Sequence, residues 1–189
     1  MPTKDSLFSS IISDFKRLDF NDAYKHMTTS FERYSPRIDT RELGTENSIL
    51  HAMAVDKDIE AEVLIRLSKE FPKDFLINEV NAHGNTVVDL LIKEQKSVHL
   101  ILLEKEGPLN LASYKSNGNN ALHLAAVRDN PVFINFLLNK GVTSEQKNKK
   151  NLTPIDIARR YGTYGNVEIL ESYHHTKNIH DDNFLDLGR

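Results

Sequence analysis

The sequence of 189 residues contains no cysteine. Disulfide bonds, cysteine nucleophiles and cysteine-ligated metal sites are therefore excluded, and the composition fits a reducing compartment. No stretch approaches the roughly 18 apolar residues that a membrane-spanning helix needs. The N-terminal segment has no uninterrupted apolar core either, because Asp14, Lys16 and Arg17 break it, so we expect no secretory signal peptide. These absences predict a cytoplasmic protein without a membrane span.

Recognisable catalytic motifs are also missing. The sequence has no Gly-rich phosphate loop, no G-x-S-x-G and no H-E-x-x-H. His174, His175 and His180 are candidate metal ligands, but they lack a clear fourth ligand and lie in a segment without a strong helical pattern, so we interpret them as a solvated terminus. We expect no catalytic, cofactor-binding or metal-binding residues and no enzyme activity.

The chain has only a small excess of acidic residues, with a net charge of −3, but its charges are unevenly distributed along the sequence. Residues 45–106 carry 12 acidic and 7 basic side chains, whereas residues 107–173 carry 5 acidic and 8 basic ones. The overall balance gives no indication of nucleic-acid binding. The basic block is instead a candidate surface for an acidic partner.

What the sequence does contain is a short apolar box that occurs four times. SILHAMA starts at residue 48, TVVDLLI at 86, NALHLAA at 120 and TPIDIAR at 153, so the starts are 38, 34 and 33 residues apart. A second apolar pattern of helical type follows each box, and a polar turn precedes three of them. Because one helix pair cannot bury its own apolar stripe, each copy is expected to stack on the next.

The boxes resemble the ankyrin repeat family, whose box reads T-P-L-H-x-A-A with a period of 33. Thr153–Pro154 match its opening, Leu122–His123 its middle and Ala125–Ala126 its small pair. The resemblance covers about residues 44–173 and implies an all-α solenoid of helix-turn-helix repeats. The four predicted repeats are 44–81, 82–115, 116–148 and 149–173.

Two positions depart from the family box. Asp89 and Asp156 stand where the family usually has histidine, and we expect their carboxylates to make capping or turn hydrogen bonds. His51 and His123 keep the family residue, and the resemblance implies structural hydrogen bonds within and between repeats for both.

The two ends of the chain leave several interpretations open. Residues 1–43 carry two apolar helical stripes and are predicted to form an N-terminal helical cap; a docking helix and a degenerate repeat are the alternatives. Residues 174–189 are predicted to be a flexible tail. The tail is alternatively a short linear motif around Phe184, Leu185 and Leu187, and it is also similar to C-terminal export signals of bacterial type IV secretion effectors.

Ankyrin-like proteins generally bind through their turn tips and first helices, which implies a concave binding surface. Arg and Tyr often anchor interfaces, and the cations near the last two repeats favour an acidic protein segment as ligand. A merely solvated lysine-rich face is the alternative. The predicted partner-binding residues are His83, Asn85, Lys93, Glu94, Lys115, Asn117, Asn119, Val127, Arg128, Lys149, Lys150, Leu152, Arg160 and Tyr161.

The sequence therefore predicts a monomeric, non-catalytic protein–protein interaction module that acts as an adaptor, sequestering factor or inhibitor. The main alternative is a bacterial effector that is delivered into a host cytosol and engages a host protein. A regulatory subunit or an enzyme without a recognisable motif is less favoured.

Overall fold

A computed structural model of the chain describes residues 4–34, 47–70, 79–106 and 109–186. Within these ranges it contains ten α-helices and one two-stranded hairpin, so the predicted all-α class is confirmed. The chain divides into two units, Met1–Leu109 and Asn110–Arg189.

The first unit is built from stacked helix pairs. Helix α1 packs against α2 and α3, α3 packs against α5, and α4 packs against α6. The first helix of each pair therefore packs on the first helix of the next pair, and the second helix of the pair α3–α4 packs on the second helix of the pair α5–α6. Fully buried side chains such as Met53, Leu64 and Leu91 fill the space between them. Its helices are α1 Lys4–Arg17, α2 Phe20–Tyr34, α3 Ile49–Val55, α4 Ala61–Glu70, α5 Val87–Lys93 and α6 Ser97–Glu106.

Helix α1 reaches the first predicted repeat through a charged contact. Lys16 Nζ lies 2.8 Å from Asp56 Oδ2 and 3.3 Å from Asp58 Oδ2, just after α3. Residues 35–46, which belong to the region between α2 and that repeat, lie outside the described residues. A cap over residues 1–43 therefore stays a prediction.

The second unit repeats the same arrangement. Helix α7 packs against α8 and α9, and α10 packs against α8 and α9. Leu122, Ile134, Leu137 and Leu170 are fully buried in its core. Its elements are β1 Lys115–Ser116, β2 Asn119–Asn120, α7 Ala121–Ala125, α8 Pro131–Asn139, α9 Pro154–Tyr161 and α10 Tyr164–Asp186.

Each of the four apolar boxes starts with a reciprocal capping box. The N-cap side chain accepts the backbone N–H of the third helical residue, whose own side chain accepts the backbone N–H of the N-cap. The predicted capping roles of Asp89 and Asp156 are confirmed, because their carboxylates accept the N–H groups of Thr86 and Thr153 at 2.9 Å each. The four N-cap residues are Ser48, Thr86, Asn120 and Thr153.

The two box histidines also connect neighbouring repeats. His51 Nε2 lies 3.1 Å from the carbonyl oxygen of Asn85, and His123 Nε2 lies 3.0 Å from that of Leu152. Both rings are buried. The predicted structural role of both histidines is confirmed, and each inter-repeat bond lies inside one unit.

The C-terminal segment is helical further along the chain than its sequence pattern indicates. The sequence shows no strong helical pattern from residue 174, but α10 continues to Asp186. The start of α10 is anchored by buried Asn166 and Leu170, and adding turns to an existing helix needs no new nucleation. The flexibility of residues 174–189 stays a prediction.

Candidate functional site

A groove in the second unit contains eight of the fourteen residues predicted to bind a partner. Its volume is about 470 Å³. The hairpin, α7, the turn before α9, and α9 itself all contribute to it. The lining residues are Asn117, Asn119, His123, Leu124, Val127, Asn148, Lys149, Lys150, Leu152, Ile157, Arg160 and Tyr161.

The hairpin forms one wall of the groove. Its turn residues Asn117 and Gly118 have φ angles of 50° and 83°. A Cβ atom on Gly118 would lie 2.7 Å from Cγ of Lys149, so the absence of a side chain lets the lysine stem lie against the hairpin. Gly118 therefore both forms the turn and positions a groove cation.

Asn148 organises the opposing turn. Its Oδ1 accepts the backbone N–H groups of Lys150 at 2.9 Å and Leu152 at 3.1 Å. Its Nδ2 donates to Oδ1 of Asn119 at 2.9 Å, which ties this turn to the hairpin. The groove's polar rim is thus held in place by side-chain hydrogen bonds before any ligand binds.

Replacing Gly118 by alanine is expected to lower the free energy of unfolding by about 1–2 kcal/mol, because an L-residue is strained at this positive φ. The substitution also displaces Lys149. Gly141→Ala is the matched control, since Gly141 has a φ of 80° but nothing within 4 Å of its added Cβ. Urea unfolding followed by circular dichroism should show a loss of stability in both variants. Only in G118A is the position of Lys149 in the groove also changed. Stability of G118A equal to wild type would contradict this account.

The groove carries positive charge over an apolar floor. Lys149, Lys150 and Arg160 are exposed, and none of the twelve lining residues in the described structure is Asp or Glu. The apolar side chains of its lining, which include Val127 just after α7 and Ile157 on α9, form this floor. Such a surface suits a ligand that combines carboxylates with apolar groups.

Two charged residues close to the groove, Asp156 and Arg159, make contacts with their own neighbours. Hydrogen bonds from the backbone and hydroxyl of Thr153 lower the pKa of Asp156, so this carboxylate stays ionised at the helix start. Arg159 pairs with Glu171, with 2.7 Å between Nη2 and Oε1, and does not line the groove. Among the lining residues of the groove, the positive charge is carried by Lys149, Lys150 and Arg160.

Six predicted residues are not among the lining residues of the groove. His83, Asn85, Lys93 and Glu94 belong to the first unit, where Lys93 Nζ donates to Oδ1 of Asn85. Lys115 and Arg128 belong to the second unit and are exposed there. Their roles in binding stay predictions.

Four groove residues were missed by sequence reasoning: His123, Leu124, Asn148 and Ile157. A signal existed for Asn148, because Asn81 and Asn148 each stand five residues before an N-cap threonine. Asn81 plays the same part in its own turn, where its Oδ1 accepts the backbone N–H groups of His83 and Asn85.

His123 should make stability depend on pH. Burial lowers the pKa of His123 below its ordinary value of 6.5, so the unfolded chain binds a proton more readily than the folded one. Stability is then complete above about pH 6.5 and is lost as the pH falls toward the folded-state pKa. We expect a lower urea midpoint at about pH 5.5 than at about pH 7.5, and a smaller decline in His123→Gln. An unchanged midpoint, or an equal decline in the variant, would contradict this role.

Other site types receive no support from the described residues. Within them, no group of three or more His, Asp or Glu side chains is placed to hold a metal ion. No helix in the same ranges has both the length and the apolar character needed to cross a bilayer.

Comparisons with known proteins agree with the helix pairs described above. A family model for ankyrin repeats (3 copies) matches residues 82–181, which is more than half of the chain. The sequence is also 28% identical over 137 residues to Protein glp-1 of Caenorhabditis elegans. That alignment covers 67% of this chain but only 10% of the length of that relative.

Proposed function

The chain belongs to the ankyrin repeat family, and on that premise we propose that it binds an acidic segment of another protein in the groove of the second unit. Ankyrin repeats are protein–protein interaction modules and are typically non-catalytic. The proposed role is that of an adaptor, sequestering factor or inhibitor, each of which requires recognition without chemistry.

One observation carries the proposal: the groove joins three cations to an apolar floor without an intervening carboxylate in its lining. Lys149, Lys150 and Arg160 would attract an acidic ligand and orient it. Tyr161, which is 61% exposed, adds an aromatic surface of the kind that often anchors protein interfaces.

The proportions of the groove favour a protein ligand over a nucleic acid. Three cations neutralise few phosphates, whereas nucleic-acid affinity rests mainly on many such contacts. The apolar side chains Val127, Leu152 and Ile157 suit the apolar groups of a peptide. The hydrogen bonds of Asn148 hold the rim in advance, which lowers the ordering cost of binding.

The test is affinity capture from a eukaryotic cell lysate, followed by mapping of the bound segment in the captured protein. Wild type is compared with the charge-reversed variant K149E/K150E/R160E. The matched control K25E/K57E/K69E changes the same number of exposed charges in the first unit. We expect wild type and control to capture a protein through an acidic segment, and the groove variant to lose it.

Circular dichroism establishes that all three proteins are folded. Equal capture by wild type and the groove variant would contradict the proposed site. A mapped segment without Asp or Glu would contradict the proposed ligand chemistry.

A further inference from the structure

The corners between α7 and α8 and between α9 and α10 are locked together by hydrogen bonds. Asn166 is fully buried; its Nδ2 donates to the carbonyl oxygen of Arg128 at 2.7 Å, and its Oδ1 accepts the N–H of Asn130 at 3.0 Å. The Thr163 hydroxyl donates to the carbonyl oxygen of Ala126 at 2.8 Å. These buried bonds fix the two corners relative to each other.

Large apolar side chains stand exposed on these fixed corners. Val132 is 80% exposed, Tyr164 is 76% exposed and Tyr161 is 61% exposed. Pro131 and Gly165, which are next to Val132 and Tyr164 in the sequence, lie against each other, because a Cβ atom on Gly165 would lie only 2.6 Å from Cγ of Pro131. We name Val132, Tyr161 and Tyr164 together the corner shelf.

Tyr161 connects the corner shelf to the groove. Tyr161 belongs to both, since it is the last residue of α9 and also lines the groove beside Arg160. Large apolar side chains exposed on neighbouring corners are typical of interaction sites. Because the supporting corners are already fixed, little conformational entropy is lost when a ligand covers the shelf.

We infer that the ligand has two parts: acidic residues that occupy the groove, and at least one large apolar side chain, next to the acidic residues, that covers the corner shelf. This inference rests on the proposed function and specifies the ligand further. The cations attract and orient the acidic part. The shelf adds affinity only for a segment that also carries a Leu, Ile or Phe at the right distance from its acidic residues. Many acidic segments would bind the groove alone, so the shelf provides the specificity that distinguishes one acidic segment from another.

The test uses short fluorescent synthetic peptides of two kinds, with and without a phenylalanine. The first is a Gly/Ser peptide with four adjacent glutamates. The second is the same peptide with one phenylalanine placed in turn at each position on either side of the glutamates. Binding to wild type is measured by fluorescence anisotropy. We expect at least one phenylalanine position to raise the affinity about tenfold, as burial of one aromatic group permits.

Two variants separate the shelf from the groove. In V132S/Y164S, binding of the glutamate-only peptide should be unchanged, while the gain from phenylalanine is lost. In K149E/K150E/R160E, both peptides should lose binding. Circular dichroism serves as the folding control for each variant.

The other outcomes are distinguishable. If no phenylalanine position improves binding, or if the gain survives in V132S/Y164S, the two-part ligand is wrong while the groove function stands. If neither peptide binds wild type, or if the groove variant binds both as wild type does, the groove function fails and the inference fails with it.

Discussion

Reversing the three groove cations in K149E/K150E/R160E is expected to weaken binding of the captured acidic segment by about 100-fold or more. Each substitution replaces attraction by repulsion, and one charge pair at contact distance contributes about 1 kcal/mol even at the dielectric constant of water. Three reversals therefore exceed the roughly 2.7 kcal/mol that corresponds to 100-fold. Isothermal titration calorimetry with the mapped segment gives the value directly.

The same charges predict a dependence on ionic strength. Since Lys149, Lys150 and Arg160 are all exposed, their attraction for the ligand is screened by salt. Wild-type affinity should decrease as NaCl is raised from about 50 mM to about 500 mM, and that decrease should disappear or reverse in the variant. A less than threefold loss of affinity in the variant, with an unchanged salt dependence, would show that the cations do not contact the ligand.

Replacing His123 by alanine is expected to lower the free energy of unfolding by about 2–3 kcal/mol, because a buried group that loses its partner carries its full desolvation cost. The ring is 1% exposed; its Nε2 lies 3.0 Å from the Leu152 carbonyl, and its Nδ1 accepts the N–H of Asn120 at 3.2 Å. The substitution leaves the Leu152 carbonyl and the Asn120 N–H without their hydrogen-bond partner on the ring. It also removes a hydrogen bond between consecutive repeats.

His83→Ala is the matched control, because His83 is an exposed histidine in the turn before α5 of the first unit. A surface substitution of this kind usually changes stability by no more than about 0.5 kcal/mol. Urea unfolding at neutral pH, followed by circular dichroism, should separate the two variants clearly. Equal midpoints for H123A and H83A would mean that the inter-repeat hydrogen bond contributes little.

The repeats could be predicted because their signals are local. An N-cap residue, a His or Asp three residues later and an apolar box all lie within one turn or two of helix, so the sequence displays them directly. The capping roles of Asp89 and Asp156 followed from side-chain chemistry for the same reason.

Contacts between distant residues that lie outside the repeat boxes could not be predicted. Thr163 and Asn166 lock two corners whose partners lie 37 and 38 residues earlier, and no periodic pattern marks such bonds. The continuation of α10 to Asp186 was missed because the segment lacks an apolar stripe and extends a helix that is anchored elsewhere. The pairing of Arg159 with Glu171 likewise joins side chains of two different helices.

The groove itself was predicted only in part. Lysines in the turns and Arg160 after the fourth box follow from the repeat register, which is why they could be named. The position of Asn148 five residues before an N-cap threonine was a usable signal, but its hydrogen bond to Asn119 in the hairpin joins residues 29 apart and could not be read from the sequence.

The most direct test of the groove as a protein-binding site is photo-crosslinking from inside it. A benzophenone amino acid is placed at Tyr161, which lines the groove, and in a control protein at Val98, which is 62% exposed on α6. After irradiation in lysate, the cross-linked peptides are identified by mass spectrometry. Binding in the groove predicts that Tyr161, but not Val98, cross-links to a defined acidic segment, and that excess peptide of that sequence prevents it. Cross-links from both positions to the same proteins, or a Tyr161 cross-link to a segment without acidic residues, would contradict it.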